Sequence, residues 1–359
     1  MDKKIIPGAV KFLPNRVWRV YLGGSGIDQL QNLSPAEDGH FPEEWIASAA
    51  PANNPQYPQP DQGLSKVLYD GREMLFTDYL ALDDNYTLGA EHTAEFGNNP
   101  ALLMKILDAA EQLPIQCHPT VPDAKKYFNS QFGKTEAWYV IGTRQVNGEE
   151  PYLLMGFNEF LDEELFRKEA LSGAFPAGVK MLHKLPVKPG DCFLVKGGLA
   201  HAIGCGVTLI EVMEPSDLVI QPEYFCGSQR LSDEERWSGA APEDALKCFN
   251  YTVDTPEGIR EKYTPQIRVI DEHLQVVIPG EDAGLFEVQK LALSGSYTLV
   301  NTQKCHRAGV VTAGKCTLDD GDKKIDLPRG SSFFLPHALE TCVFEGDCEI
   351  IFALPPLKK

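Results

Sequence analysis

The same twelve-residue plan occurs twice in this chain. Residues 190–201 read GDCFLVKGGLAH, and residues 330–341 read GSSFFLPHALET. Each begins with glycine, runs through five mostly apolar residues and then turns. Apolar runs this short, closed by turn residues, fit strands better than helices. Most of the chain follows suit, with β-branched and aromatic runs separated by Gly, Pro and Asp. That is the pattern of antiparallel strands in a sandwich or barrel. From about residue 266 onward nearly all the signal is strand, and a boundary is expected there. The expectation is a mostly β chain with residues 1–265 as one domain and 266–359 as a second, a division its 359 residues allow. Helical insertions are expected near 158–184 and 231–249. A further helix is expected over NPALLMKILDAAEQLP, where Asn99 can cap, Pro100 takes the first helical position and Pro114 stops it. PANNPQYPQPDQG is loop. LGGSG reads as a turn and not as a phosphate cradle, since no GK[ST] and no helical pattern follow it.

Four residues carry the chemistry: Gln116, His118, Glu136 and His201. Gln116 and His118 are two apart in IQCHPT, so on a strand they share a face. Glu136 lies in GKTEAWYVIG, and His201 ends the first of the two repeated segments. Two imidazoles, a carboxylate and an amide oxygen can bind a divalent metal, and waters at the remaining positions would leave it open for catalysis. His183, His273, His306 and His337 read instead as hydrogen-bonded structural residues. Lys134 shares a face with Glu136, either as its salt-bridge partner or as a cation for substrate. Glu211, in VTLIEVM, points where apolar residues point. A carboxyl buried there is either a general acid or base with a raised pKa or a group that orients a metal ligand.

The formal net charge of -18 disfavours nucleic-acid binding, which needs clustered Lys and Arg. Nine cysteines with no CxxC pair read as reduced thiols of a cytoplasmic protein. No apolar stretch approaches signal-peptide or membrane-span length, so no membrane partner is expected. The chain is expected to act on a small molecule, as a monomer or homodimer.

The segment 190–201 resembles the second motif of the cupins, G-x5-P-x-G-x2-H, with Lys196 in place of the proline. Segment 330–341 keeps Pro336 but has Thr341 at the histidine position. The resemblance implies two cupin-like (jelly-roll) β-barrels with metal only in the first. More specifically, the chain resembles the type I phosphomannose isomerases over nearly its whole length. EEWIASAAP (43–51), LLMKILDAAEQLPIQCHP (102–119), GKTEAWYV (133–140) and GGLAHAIGCGVTLIEVMEPSD (197–217) match that family's segments in order and spacing. The resemblance implies one Zn2+, or another divalent metal, on Gln116, His118, Glu136 and His201. It also places Lys134 in the substrate site and Glu211 near the reacting carbons. The implied reaction interconverts mannose 6-phosphate and fructose 6-phosphate through an enediol.

Two positions depart from the family. Gln221 stands where its catalytic arginine would be, and Pro114 replaces a serine that helps hold phosphate. Arg230, nearby in sequence, is the candidate substitute cation and is grouped with Lys134 and Glu211 as catalytic. These departures open three alternatives: an isomerase or epimerase of another, unphosphorylated sugar; a sugar-binding relative with little turnover; and a non-haem iron oxygenase using His118, Glu136 and His201.

Overall fold

A computed structural model describes residues 8–356; the basic start of the chain, residues 1–7, lies outside them. Two antiparallel sheets carry the architecture. The six-stranded sheet runs in the order Cys192–Val195, Glu136–Thr143, Val207–Met213, Leu103–Asp108, Glu43–Ile46, Arg16–Val17. Directly opposed residues share a face. Glu211 opposes Lys105 on one side and Trp138 on the other, Trp45 opposes Lys105, and Glu136 opposes Met213. One face therefore gathers Glu43, Lys105, Glu136 and Glu211. The other face presents Met104, Ile106, Ala137, Tyr139, Ile210 and Val212, all buried.

The second sheet covers that apolar face. Its long members are Glu287–Val300, Thr341–Leu354 and Arg307–Asp319. Phe334, Ile351 and Ala353 from this sheet join Ile106 and Val212 in one core. Beyond Ser332–Leu335 the sheet continues through Val10–Phe12, Lys66–Tyr69 and Arg72–Leu75, so the first strands of the chain complete a sheet otherwise built after residue 266. A three-stranded sheet, Leu182–Pro186 with Tyr152–Phe157 and His201–Ile203, packs on the opposite side. The whole is a mostly β cupin fold with helical insertions.

The repeated segments share one layout. Gly190 and Gly330 both sit at positive φ (94° and 81°), strands Cys192–Val195 and Ser332–Leu335 follow, and the next strands open at His201 and Thr341. Thr341 is exposed. The expected insertions appear as the helix Glu163–Ser172, capped by Asp162, and as Asp233–Trp237 and Pro242–Ala245. The stretch 182–186 is strand instead of helix.

Two local expectations fail. The helix over 99–113 is a strand, Leu103–Asp108, with all six residues buried. It lies between two other strands and is covered on both faces, so its apolar residues fall at 103, 104, 106 and 107 instead of alternating, and that spacing mimics a helical stripe. Asn99 does accept a backbone N–H, from Ala101 at 2.8 Å, but it closes a turn. After LGGSG a short helix, Ser25–Leu30, does form. The glycine run cradles an anion from its own chain: Gly24 N and Gly26 N donate to Asp108 Oδ2 at 2.7 and 3.1 Å. A Cβ on Gly26 would stand 2.3 Å from Asp108 Oδ1, which is why that position carries none. Helices at Phe76–Leu80, Asp84–Thr87 and Ala90–Phe96 were not expected from the sequence. No helix among the described residues is long and apolar enough to cross a membrane. All nine cysteines are free and buried.

Candidate metal centre

His201 opens its strand and forms an antiparallel bridge with Gln116. Gln116 N donates to His201 O at 2.8 Å, and His201 N donates to Gln116 O at 2.9 Å. That bridge brings the IQCHPT segment onto the three-stranded sheet. His118 follows two residues on, and Glu136 starts its strand opposite. The ligand atoms of His118, Glu136 and His201 all lie within 4.8 Å of one another, and all three residues are buried. Gln116 is half-buried and lines the same cleft.

The hydrogen bonds around the imidazoles decide what the trio can hold. His118 Nδ1 lies 2.9 Å from Leu218 O, and His201 Nδ1 lies 2.8 Å from Leu199 O. A carbonyl only accepts, so each Nδ1 carries a proton and, in a neutral ring, each Nε2 presents a lone pair. Both rings are held neutral: burial, then Lys134, lowers His118, and burial, then His118, lowers His201 to about 3. His118 Nε2 sits 3.0 Å from Glu136 Oε1, and His201 Nε2 sits 4.0 Å from Oε2. These are acceptors facing acceptors, and neither Nε2 has a hydrogen-bond partner. Three lone-pair donors converging in a buried site suit a divalent cation, and the N, N, O set suits a borderline metal.

The surroundings fix the carboxylate. Trp138 Nε1 donates to Glu136 Oε2 at 3.1 Å, and Lys134 Nζ lies 3.1 Å from Oε1. Burial alone would push Glu136 upward, but the charge and hydrogen bonds around it, Lys134 among them, outweigh it and hold the carboxyl well below its usual range. Glu211 behaves oppositely. Burial first and Glu136 second raise it well above the usual carboxylate range, against Lys105 at 3.8 Å and Lys134. Lys134 is itself buried; Glu136, Glu211 and Asp217 overcome that desolvation and keep it charged.

The structure thus brings Gln116, His118, Lys134, Glu136, His201 and Glu211 together. Arg230 is not among the cleft-lining residues. It is exposed on the Phe225–Cys226/Gln229–Arg230 hairpin, where its backbone pairs with Phe225 and its carbonyl accepts from Gln56. Gln221 does line the cleft, but its amide donates to Glu235 O at 2.8 Å; Pro114 lines it as well.

Sequence reasoning missed Arg19, Glu43, Lys105 and Asp217. Arg19 Nη1 and Nη2 donate to Asp217 at 3.2 and 2.9 Å, and Arg19 Nε lies 3.1 Å from Glu43. It also missed Glu214, whose two oxygens accept from Gly133 N and Thr135 N at 3.0 and 2.8 Å and so hold the loop that presents Lys134 and Glu136. Three charges on one face of the sheet, at 43, 105 and 211, were the available signal, legible only with the strand register in hand.

Comparison with known proteins agrees with this architecture. Residues 281–355 match the family model described as mannose-6-phosphate isomerase, cupin domain. The mannose-6-phosphate isomerase of Streptococcus mutans is 31% identical over 274 residues, 75% of this chain and 79% of that protein. Mannose-6-phosphate isomerase ManA of Bacillus subtilis is 31% identical over 257 residues, 71% of this chain and 75% of that protein. Among solved structures, the Bacillus subtilis mannose 6-phosphate isomerase aligns with a TM-score of 0.73 at 21% identity, covering 96% of this chain and 99% of that one. A mannose 6-phosphate isomerase bound with zinc and yttrium aligns with a TM-score of 0.74 at 15% identity, covering 98% and 100%. With its cupin fold and a sequence match to these enzymes along most of its length, the chain is an isomerase of the mannose-6-phosphate isomerase family.

Proposed function

We propose that the chain is a metal-dependent aldose–ketose isomerase that interconverts a mannose-type aldose and its 2-ketose. Family membership makes mannose 6-phosphate and fructose 6-phosphate the first pair to test. The observation that carries the reading is the facing of two neutral imidazole lone pairs and the Glu136 carboxylate in a buried cleft that Glu211 and Lys134 also line. His118, Glu136 and His201 would hold the ion, with Gln116 as a fourth ligand. Zn2+ fits the donor set, and the relative bound with zinc supports it. When bound, the ion acts as a Lewis acid on the sugar oxygens.

The chain's own groups do the proton work. Glu211, whose raised pKa makes its ionised form a stronger base, takes the proton from C2 of the aldose and returns it to C1 of the enediol, while the O2 hydroxyl proton passes to O1, to give the ketose. Lys134 donates to the oxyanion that develops on the carbonyl oxygen. Trp138 and Lys134 fix Glu136, and the Leu199 and Leu218 carbonyls fix the imidazole tautomers. Nine free buried thiols support a reducing, cytoplasmic setting. A coupled isomerase assay on metal-loaded protein, run with mannose 6-phosphate and with mannose, tests the reading. Turnover abolished by chelation is expected. Absence of turnover on both sugars, with metal demonstrably bound, refutes it.

A further inference from the structure

Taking the cleft as the isomerase site proposed above, its charges bear on which kind of sugar it takes. Three cations line it: Arg19, Lys105 and Lys134. Each is already matched inside the cleft. Arg19 holds Asp217 through both Nη atoms and Glu43 through Nε. Lys105 lies 3.6 Å from Glu43 and 3.8 Å from Glu211, and Lys134 lies 3.1 Å from Glu136. Glu234 and Glu235 add two more carboxylates to the lining. Six carboxylates face three cations in the lining, so a divalent ion at His118, Glu136 and His201 would leave no positive excess for an anion.

Most of the neutral side-chain donors are committed too: Tyr21 donates to Glu43, Asn54 to Gln62 and Ser238 to the Val219 carbonyl. The Gln221 amide is spent on the Glu235 carbonyl. At the start of the helix Asp233–Trp237, the capping box takes the Ser232 and Glu235 amides. Pro114 brings no side-chain donor.

A phosphate dianion that leaves water must be met by unpaired cations or by charge-assisted donors. Here it would have to break the Arg19–Asp217 pair or lie against Glu234 and Glu235. Sugar hydroxyls face no such conflict, because carboxylate and amide oxygens accept from them. We infer that this cleft selects the unphosphorylated hexose, an uncharged aldose–ketose pair, over its 6-phosphate.

The test uses the full-length, metal-loaded protein. It compares kcat/KM for mannose and mannose 6-phosphate, and it measures the binding of mannitol and mannitol 1-phosphate, which cannot isomerise, by calorimetry. The free sugar is expected to lead by at least about tenfold in both, the penalty of one like-charge contact left uncompensated. Glu234→Lys, a change at an exposed position, is expected to move the kcat/KM ratio at least about tenfold toward the phosphate. Turnover that favours mannose 6-phosphate overturns the inference and leaves the isomerase reading standing. If neither sugar turns over, the isomerase reading fails, and the hexitol pair still decides: tighter binding of the phosphate overturns the charge argument, and tighter binding of mannitol upholds it.

Discussion

Replacing Arg19 by methionine should destabilise the protein strongly at neutral pH and only weakly in acid. Arg19 has 13% of its side chain exposed, Asp217 has 14% and Glu43 has 5%, so solvent screens these pairs little. Truncating one partner of a buried pair costs about 3–5 kcal/mol, because the remaining charges are stranded. Lys105 still serves Glu43, and Asn53 N still donates to Asp217 at 3.0 Å, which argues for the lower end, about 3 kcal/mol. Arg19→Lys keeps the charge and loses the fork, and should cost roughly half as much. The sign with pH follows from the two acids. Burial would raise both, but Arg19 together with Lys105 and the hydrogen bonds each acid accepts outweighs it, so Glu43 falls below its ordinary 4.5 and Asp217 below its ordinary 3.8. Groups depressed in the folded state contribute stability above those ordinary values and lose it as pH falls through the folded ones. The gap between wild type and Arg19→Met should therefore be widest near pH 7.5 and should narrow below about pH 4. Urea unfolding in chelator, followed by tryptophan fluorescence, reads it at both pH values. A gap under about 1 kcal/mol at pH 7.5, or one that does not change with pH, refutes the reasoning. It would also release Arg19 for an anionic substrate and remove the ground for a neutral one.

Glu211→Gln should retain its metal by elemental analysis while turnover falls by about 10²–10⁴; unchanged turnover would exclude Glu211 as the proton carrier. His201→Ala should lose the metal-dependent rise in unfolding free energy, about 2.7 kcal/mol with free metal at a hundred times its Kd. If it competes with a chelating dye for one ion as well as wild type does, the ligand set is wrong. Burial raises Glu223 to about 7, so its stabilising contribution is complete below about pH 4.5 and is lost as pH rises through 7. Glu223→Gln should accordingly gain about 1–3 kcal/mol on wild type at pH 8 and little at pH 5, measured by urea midpoints; an equal shift at both pH values contradicts that account.

The gathering of His118, Glu136 and His201 was legible because local sequence marks them. His201 closes a glycine–strand–turn segment whose geometry is repeated at 330–341, and Glu136 stands between a loop and a strand in GKTEAWYV. The strand Leu103–Asp108 was misread because burial on both faces erases the alternation that marks a strand. Arg19 carries no motif. Its partner Asp217 lies 198 positions away, and only the closing of the fold joins them. Arg230 fails for the mirrored reason, since nearness to position 221 along the chain says nothing when a two-residue strand turns the side chain outward. The charged face of the six-stranded sheet needed the register, which a sequence specifies only through pairings it does not display.

The shared sheet sets an order of events during synthesis. Every residue assigned to the ion has been made by position 201, yet the apolar back of the sheet that presents Glu136 is covered by Phe334, Ile351 and Ala353. Val10–Phe12 likewise finds one of its two neighbours only at Phe333 and Phe334. The early strands must therefore wait with an uncovered greasy surface and an open edge until the last segment emerges, a period in which a growing chain invites unwanted pairing. A cut far from the pocket, anywhere that removes those closing strands, strips the support from behind the metal ligands without touching one of them.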